Sequence, residues 1–392
     1  MKRLYRNARL VLPPGEGIPM GELLVEDGVI RSVGGVGRPA IADCEEVDCC
    51  GDYLAPGFID LHCHGAAGYD AMEATPDAWE HILGFHASRG TTRLLLSTVS
   101  AAWSNMLEVL CLASSHGAGG GARLEGIHLE GPYFSPLMRG AHCAEALRLP
   151  SEEETIGILE HAQVVHRVTL APELPGALAL VSRLRDVGVE VSAGHSNATA
   201  QEARAGFAAG IRQATHLYNC MSSLRKEGAR RVTGLAEEAL VTRGVVCEVI
   251  PDGWHLPSAL LRLAWLSKGW EETVLVTDAT AGAGLADGKS FVLGGKPCRL
   301  DSGAAWTGEG EGKERCLAGS TIGMIDAVRH MTEECSVPLG EAVAMASLVP
   351  ARTLRLDGVT GALQTGKKAD LVRFSPEWRI KGVWLEGREI GC

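Results

Sequence analysis

The sequence has no long hydrophobic run, and its apolar stretches stay well short of the roughly 20 residues that cross a bilayer. The segment before Pro13-Pro14 also lacks the sustained apolar core of a secretory signal peptide. Positive charge is scarce, because 37 Lys and Arg stand against 48 Asp and Glu and give a net charge of −11. This balance argues against nucleic acid or an anionic membrane as the main partner. We therefore expect a cytoplasmic protein that binds neither.

Paired cysteine motifs are absent as well, although the chain has 12 cysteines. No two of them have the Cys-x-x-Cys spacing of a zinc ribbon or a dithiol redox site. We expect reduced thiols that mostly pack as small core side chains. No Gly-x-Gly-x-x-Gly sequence opens a helix, which weighs against the doubly wound dinucleotide-binding fold as an alternative architecture.

The middle of the chain alternates short β-branched runs with longer Ala-, Leu-, Glu- and Arg-rich stretches, a βαβα pattern typical of a parallel sheet. Eight such units in about 290 residues match the size of a (β/α)₈ (TIM) barrel. The candidate strands are Leu54–Cys63, Thr92–Ser97, Leu124–Leu129, Arg167–Ala171, Glu190–Ala193, Gln213–His216, Val245–Ile250 and Thr273–Thr277.

The two chain ends have a different character, with short alternating strands separated by glycine turns. Residues 21–34 are predicted to form a hairpin around Asp27-Gly28, a dipeptide that favours tight turns. The C-terminal segment repeats the pattern, which indicates one small β domain built from both ends. We predict an α/β protein with a β-sandwich domain formed by residues 1–54 and 351–392 and a barrel formed by residues 55–350.

Reactive side chains lie at or just after the C-terminal ends of six candidate strands. In a barrel these ends converge on one face, where active sites are built. Because polar groups at so many strand ends are difficult to explain by packing, we expect them to meet in one site. They are His62 and His64, Glu130, His195, His216, Asp252 and His255, and Asp278.

Several of these side chains are candidate metal ligands. His62 and His64 alternate along a strand end, so both can face one ion while Cys63 faces the other side. Glu130 ends an otherwise apolar strand, where an unpaired carboxylate is costly to bury. Imidazole and carboxylate ligands suit Zn²⁺, which we expect here, and also Fe²⁺, Mn²⁺ or Co²⁺. The predicted ligands of one or two divalent ions are His62, His64, Glu130, His195, His216 and Asp278.

These segments in combination resemble the amidohydrolase superfamily and, within it, the N-acetylglucosamine-6-phosphate deacetylases. The resemblance spans nearly the whole chain. It implies metal-dependent hydrolysis of the acetamido group of N-acetyl-D-glucosamine 6-phosphate to D-glucosamine 6-phosphate and acetate, by a homodimer. The segments that carry it are Pro56-Gly-Phe-Ile-Asp-Leu-His-Cys-His-Gly65, His128-Leu-Glu-Gly-Pro132, Ala193-Gly-His-Ser-Asn-Ala-Thr199, Thr215-His-Leu-Tyr-Asn219 and Val276-Thr-Asp-Ala279.

The resemblance also implies roles for the individual ligands. Glu130, His195 and His216 correspond to the ligands of the family's principal ion. His62 and His64 correspond to a pair that holds a second ion in the members that retain it, with Glu130 bridging the two. Retention of this pair favours a two-ion site.

Catalytic and substrate-binding roles follow in the same way. Asp278 corresponds to the catalytic acid and base, and His142 corresponds to a contact of the acetamido group. The chain departs from the family's pattern at Gly228–Gly234, where the spacing implies Arg231 as the phosphate ligand and leaves Arg230 as the alternative. The implied substrate contacts are Ala141, His142, Asn219, Cys220, Arg231, His255, Leu317, Ala318 and Gly319.

Three other functions are considered. The same machinery would serve another acetamido sugar phosphate, such as N-acetyl-D-galactosamine 6-phosphate. A cyclic amidase is weaker, because those relatives use a carboxylated lysine from the fourth strand, and Arg167–Glu173 contains no lysine. A non-catalytic scaffold would be expected to lose ligands, whereas this chain keeps all six.

Overall fold

The computed structural model describes residues 1–38, 41–117, 119–308 and 315–391. Its central feature is a parallel sheet of eight strands in which each strand pairs with the next one along the chain. A parallel bridge between Cys63 and Ala279 links the first strand to the segment after the eighth, at the C-terminal end of the sheet. The predicted (β/α)₈ barrel is therefore confirmed. Its strands are Phe58–Cys63, Thr91–Ser97, Arg123–Glu130, Val165–Leu170, Glu190–Ala193, Gln213–Ala214, Val246–Val249 and Thr273–Leu275.

Helices follow the barrel strands and cover them on the outside. The helix that follows the fifth barrel strand illustrates how the sequence sets their limits. Thr199 accepts a hydrogen bond from the amide of Glu202, whose carboxylate accepts one from the Thr199 amide, and Gly210 ends the helix with φ of 118°. The helices are Pro76–Ser88, Trp103–Ser115, Glu152–Glu160, Ala177–Asp186, Ala200–Ala209, Leu235–Val241, Ser258–Lys268, Met324–Glu333, Leu339–Ala346 and Leu348–Thr353.

Both chain ends contribute to a second sheet. The predicted hairpin is present, with Asp27 and Gly28 in the left-handed region at φ of 51° and 73°. All eight strands are joined by hydrogen bonds into one mixed sheet, which forms the small β domain predicted from the two chain ends. The residue limits of the two domains stay a prediction. The strands are Lys2–Leu10, Met20–Glu26, Val29–Val33, Cys44–Asp48, Tyr53–Pro56, Leu371–Phe374, Ile380–Leu385 and Arg388–Ile390.

The predicted strand Leu54–Cys63 is wrong, because it is two strands that belong to different sheets. Tyr53–Pro56 pairs with the C-terminal strand Leu371–Phe374, whereas Phe58–Cys63 is the first strand of the barrel. Gly57 stands between them, and a Cβ atom there would lie 2.3 Å from Thr92 Cγ2. Only glycine fits this close crossing, and the chain passes from one sheet to the other here.

Besides a short hairpin of Gly65–Ala66 and Tyr69–Asp70 after the first barrel strand, two further β elements were not predicted from the sequence. A hairpin of Arg225–Glu227 and Arg230–Val232 lies in the connection after the sixth barrel strand. A three-stranded antiparallel sheet of Ser290–Leu293, Lys296–Asp301 and Ala304–Thr307 follows the eighth strand. Both elements belong to connections at the C-terminal face of the barrel, where the sequence predicts the site.

The expected thiol state is consistent with the structure over the residues it describes. Eleven cysteines in these ranges are free, and Cys392 lies outside them. No helix in the described part of the chain combines the length and the apolar character needed to cross a membrane.

Candidate metal centre and substrate cavity

The six predicted ligands meet in two groups at the C-terminal end of the barrel. His62, His64 and Asp278 form one group, in which Asp278 Oδ1 lies 3.4 Å from His62 Nε2 and 3.3 Å from His64 Nε2. Side chains from the first strand and from the segment after the eighth are thereby brought together. This group has the donor atoms of a divalent cation site.

The second group consists of Glu130, His195 and His216, at the ends of the third, fifth and sixth strands. Glu130 Oε1 lies 3.2 Å from His195 Nε2 and 3.0 Å from His216 Nε2. Glu130 also reaches the first group, with Oε1 3.5 Å from His62 Nε2 and Oε2 3.2 Å from His64 Nε2. One carboxylate therefore contacts all four imidazoles.

The hydrogen bonds of the outer ring nitrogens leave the inner nitrogens of these histidines available to bind a metal ion. His62 Nδ1 is 3.3 Å from Glu248 Oε2, His64 Nδ1 is 3.2 Å from the Ser97 carbonyl, and His195 Nδ1 is 2.8 Å from the Met138 carbonyl. Each acceptor requires a proton on Nδ1, which leaves the lone pair of Nε2 free to face the cluster. His216 Nδ1 is buried and has no hydrogen-bond partner among the described residues.

Unusual backbone conformations orient the side chains of three of the ligands. His195, His216 and Asp278 have φ angles of 48°, 31° and 49°, in the left-handed region that non-glycine residues rarely adopt. Each lies two or three residues after the end of a barrel strand, so the turn of the backbone redirects a side chain that would otherwise continue the alternation of the strand. Backbone strain of this kind is typical of functional sites.

The imidazoles of the cluster favour ionised carboxylates. Burial alone would raise the pKa of Asp278, but His62 and His64 lower it to about 2. Burial likewise opposes ionisation of Glu130, yet His62 and His142 hold its pKa well below the usual range. Both side chains are therefore anionic at neutral pH, as metal ligands need to be.

His142 lies beside this cluster and is held as a neutral donor. Its Nδ1 accepts a hydrogen bond from the Ser100 amide at 3.0 Å, so the proton resides on Nε2, which is 3.1 Å from Glu130 Oε2. Burial lowers the pKa of His142 to about 4. Lys296, from the three-stranded sheet, donates to the carbonyls of Ala141 and His142 at 2.9 and 2.7 Å and fixes this segment.

A cavity of about 240 Å³ opens above the cluster. Ala318 is fully buried and does not line it. Four further residues line the cavity and were not predicted. Two of them come from the three-stranded sheet, which was not recognised in the sequence. The four are Val99, Ser100, Leu293 and Gly294. Cys143 and Cys316 were missed although each is adjacent in sequence to a predicted contact. The predicted contacts that line the cavity are Ala141, His142, Asn219, Cys220, His255, Leu317 and Gly319.

His255 is the cationic candidate in the cavity wall. Its Nδ1 lies 2.7 Å from Asp252 Oδ2. Burial alone would lower the pKa of His255, but Asp252 raises it above the usual value. Arg231 and Arg230 both lie exposed on the hairpin and do not line the cavity, so the assignment of a phosphate ligand to either stays a prediction.

Behind the first group lies a third cluster of Asp60, Cys63 and His86. Cys63 Sγ is 3.0 Å from His86 Nε2, on the helix that covers the first strand. Cys63 thus faces away from the ligands, as the alternation of the strand predicts. The pair anchors the backbone between His62 and His64 from outside the barrel.

The profile of the amidohydrolase family matches residues 53–390. This chain belongs to the amidohydrolase family. Amidohydrolases depend on metal ions, and the two ligand groups described above are candidate positions for them.

Curated relatives extend the comparison over the full length of this amidohydrolase. The N-acetylgalactosamine-6-phosphate deacetylase of Escherichia coli is 36% identical, with 99% of each chain covered. The N-acetylglucosamine-6-phosphate deacetylase of Vibrio furnissii is 33% identical, with 86% of this chain and 82% of the relative covered. Both names describe deacetylases of phosphorylated amino sugars.

Solved structures match the whole fold. N-acetylglucosamine-6-phosphate deacetylase from Pasteurella multocida superposes with a TM-score of 0.91, at 28% identity and 99% coverage of both chains. An Asp-to-Ala mutant of the Mycobacterium smegmatis enzyme, in complex with N-acetyl-D-glucosamine 6-phosphate, gives a TM-score of 0.88 at 32% identity, covering 99% of this chain and 98% of its own. The likeness therefore includes the terminal sheet as well as the barrel.

Proposed function

We propose that this amidohydrolase hydrolyses the acetamido group of N-acetyl-D-glucosamine 6-phosphate to D-glucosamine 6-phosphate and acetate. The observation that carries the proposal is the pair of ligand groups that share Glu130 beneath a cavity with a neutral His142 in its wall. The bound complex of the Mycobacterium smegmatis relative supports the choice of sugar.

The proposed cofactor is one or two divalent ions, with zinc as the expected metal and iron, manganese or cobalt as alternatives. Glu130, His195 and His216 would hold the principal ion, and His62, His64 and Asp278, with Glu130, the second. When bound, such an ion polarises the amide carbonyl and lowers the pKa of water. A homodimer is proposed from the family resemblance.

The side chains of the chain then perform the proton transfers and stabilise developing charge. Asp278 accepts a proton from the water whose oxygen attacks the acetyl carbon, and it returns that proton to the nitrogen as the C–N bond breaks. His142 donates its Nε2–H to the carbonyl oxygen as negative charge develops there. Its low pKa ensures that it remains neutral and keeps its single proton on Nε2.

The role of His142 leads to a first prediction. His142→Ala should lower kcat by about 10²–10³-fold, the usual cost of losing one oxyanion donor. His142→Gln retains an N–H donor and should lose less activity than the alanine variant. Steady-state kinetics on both variants measures the difference, and equal activity of wild type and His142→Ala would contradict the role.

We also propose that cationic His255 contributes to binding of the phosphate group, which gives a second prediction about pH. The raised pKa of His255 keeps the imidazole cationic to higher pH than usual, so KM should be low below that pKa and rise as pH passes through it. Asp252→Asn removes the partner that raises this pKa and should move the rise in KM to lower pH. The unphosphorylated sugar is the control, since its KM should not follow this profile.

A third prediction tests the two hairpin arginines. Arg231→Ala should raise KM for the phosphorylated sugar by about 10–100-fold, the range expected for a charged hydrogen bond. Arg230→Ala, on the same exposed hairpin, is the matched control and should change KM little. A larger rise in KM for Arg230→Ala than for Arg231→Ala would assign the phosphate contact to Arg230.

The experiment that tests the function is an acetate-release assay on N-acetyl-D-glucosamine 6-phosphate. Acetate release should stop with a chelator and return with added metal. N-acetyl-D-glucosamine without phosphate should react poorly, and N-acetyl-D-galactosamine 6-phosphate measures the preference between the two epimers. No acetate release from the metal-loaded protein with either phosphorylated sugar would overturn the proposal.

A further inference from the structure

Two opposite charges are buried inside the barrel directly beneath the ligand groups. The side chains of Arg167, on the fourth strand, and Glu248, on the seventh, are 1% and 0% exposed and form an ion pair. Taking both charges out of water is unfavourable, and apolar side chains of similar volume usually serve stability as well. The position of the pair therefore calls for a role other than stability.

Glu248 contacts both ligand groups through a single oxygen. Its Oε2 lies 3.3 Å from His62 Nδ1, in the first group, and accepts a hydrogen bond from the His216 amide at 3.2 Å, in the second. The first contact fixes the proton of His62 on Nδ1. The second holds the backbone of His216 where φ is 31°. No other carboxylate described here makes either of these two contacts.

Arg167 holds this carboxylate in place. Its guanidinium bonds Glu248 Oε1 through Nη1, while Nη2 donates to Ser192 Oγ at 3.1 Å and to Thr215 Oγ1 at 3.0 Å. Thr215 immediately precedes His216 in the sequence. The planar fork thus ties Glu248 to the strands that end in His195 and His216.

We propose that Glu248 is a positioning residue that aligns the two ligand groups with each other, with Arg167 as its fixed counter-ion. This inference rests on the proposed metal-dependent function. His62, the His216 amide and Arg167 all present donors to Glu248, so an ionised carboxylate, which only accepts, satisfies every one of them. A glutamine would turn an N–H group towards at least one of these donors.

The test measures metal affinity directly. Glu248→Gln should bind Zn²⁺ about 10–100-fold more weakly than wild type, the usual cost of losing a partner of a metal ligand. Competition with a chromophoric chelator gives the affinity, and excess Zn²⁺ should restore much of the acetate release. The double variant R167M/E248Q leaves no unpaired buried charge and should show the same weakened affinity with its metal-free melting temperature retained.

Asp370→Asn is the matched control. Asp370 forms another buried ion pair, 2.7 Å from Arg93 Nε, but contacts none of the ligands, so this variant should lose stability and keep wild-type Zn²⁺ affinity. Wild-type affinity in Glu248→Gln, or failure of both Glu248 variants to fold, would overturn the positioning role. Failure of the wild-type protein to bind Zn²⁺ or release acetate would instead overturn the proposed function itself.

Discussion

Asp278→Asn is expected to lower kcat by about 10²–10⁴-fold, the range for a general acid–base group, while leaving metal content near that of wild type. Asn retains an oxygen at the position that lies 3.3–3.4 Å from His64 and His62, but it cannot accept a proton from water. Acetate release and elemental analysis of the purified variant measure the two quantities.

The pH profile separates loss of proton transfer from general damage to the site. Because Asp278 is the proposed base, the acidic limb of the wild-type kcat/KM profile should disappear in the variant. A kcat like that of wild type would remove Asp278 from the base role. Loss of metal together with activity would show that Asp278 acts mainly as a metal ligand.

Glu130→Ala is expected to abolish detectable turnover and to remove at least one ion per chain. Glu130 lies within 3.5 Å of all four imidazoles of the cluster. Among the described residues, its loss leaves His195 and His216 without a carboxylate partner, whereas His62 and His64 keep Asp278 and His62 also keeps Glu248. Removing one partner from a buried charged cluster is strongly destabilising. Elemental analysis, acetate release and thermal unfolding measure the three effects.

Chelator-treated wild type provides the comparison for this variant. It should unfold at a lower temperature than the metal-loaded protein, because a ligand that binds only the folded state stabilises it. Added metal should raise that temperature in wild type and much less in Glu130→Ala. Full metal stoichiometry in the variant would show that the histidines suffice and that Glu130 does not bridge.

Much of the site follows from the sequence because parallel strands end on one face. Reactive residues at the ends of six candidate strands were sufficient to predict that His62, Glu130 and Asp278 meet, although these three residues are far apart in the chain. The alternation of His62 and His64 around Cys63 also fixed which side chains face inwards. Each of these inferences uses only strand geometry.

The missed features depend on contacts that strand geometry does not reveal. Leu54–Cys63 was predicted as one strand although it contains Pro56-Gly57, a dipeptide that marks turns, and packing against Thr92 makes Gly57 the crossing point. The three-stranded sheet that supplies Lys296 has turn signals between its strands, at Gly294-Gly295 and Ser302-Gly303, but these signals do not reveal its place over the cavity. Glu248 could have been noticed in the sequence, since it is a charged residue within an otherwise apolar barrel strand. Arg167 is less distinctive, because its strand also contains His166 and Thr169.

The crossing at Gly57 means that the barrel is not a detachable module. Only Gly57 separates the strand that leads to His62 and His64 from the strand Tyr53–Pro56. Tyr53–Pro56 is paired on one side with an N-terminal strand and on the other with a C-terminal strand. The Gly57 amide also donates to the Asp370 carbonyl at 2.8 Å. In a truncated protein that keeps only the barrel, the start of the strand that leads to His62 and His64 would lose these hydrogen bonds. Tags and fusions at either terminus therefore act on elements mechanically linked to the catalytic centre.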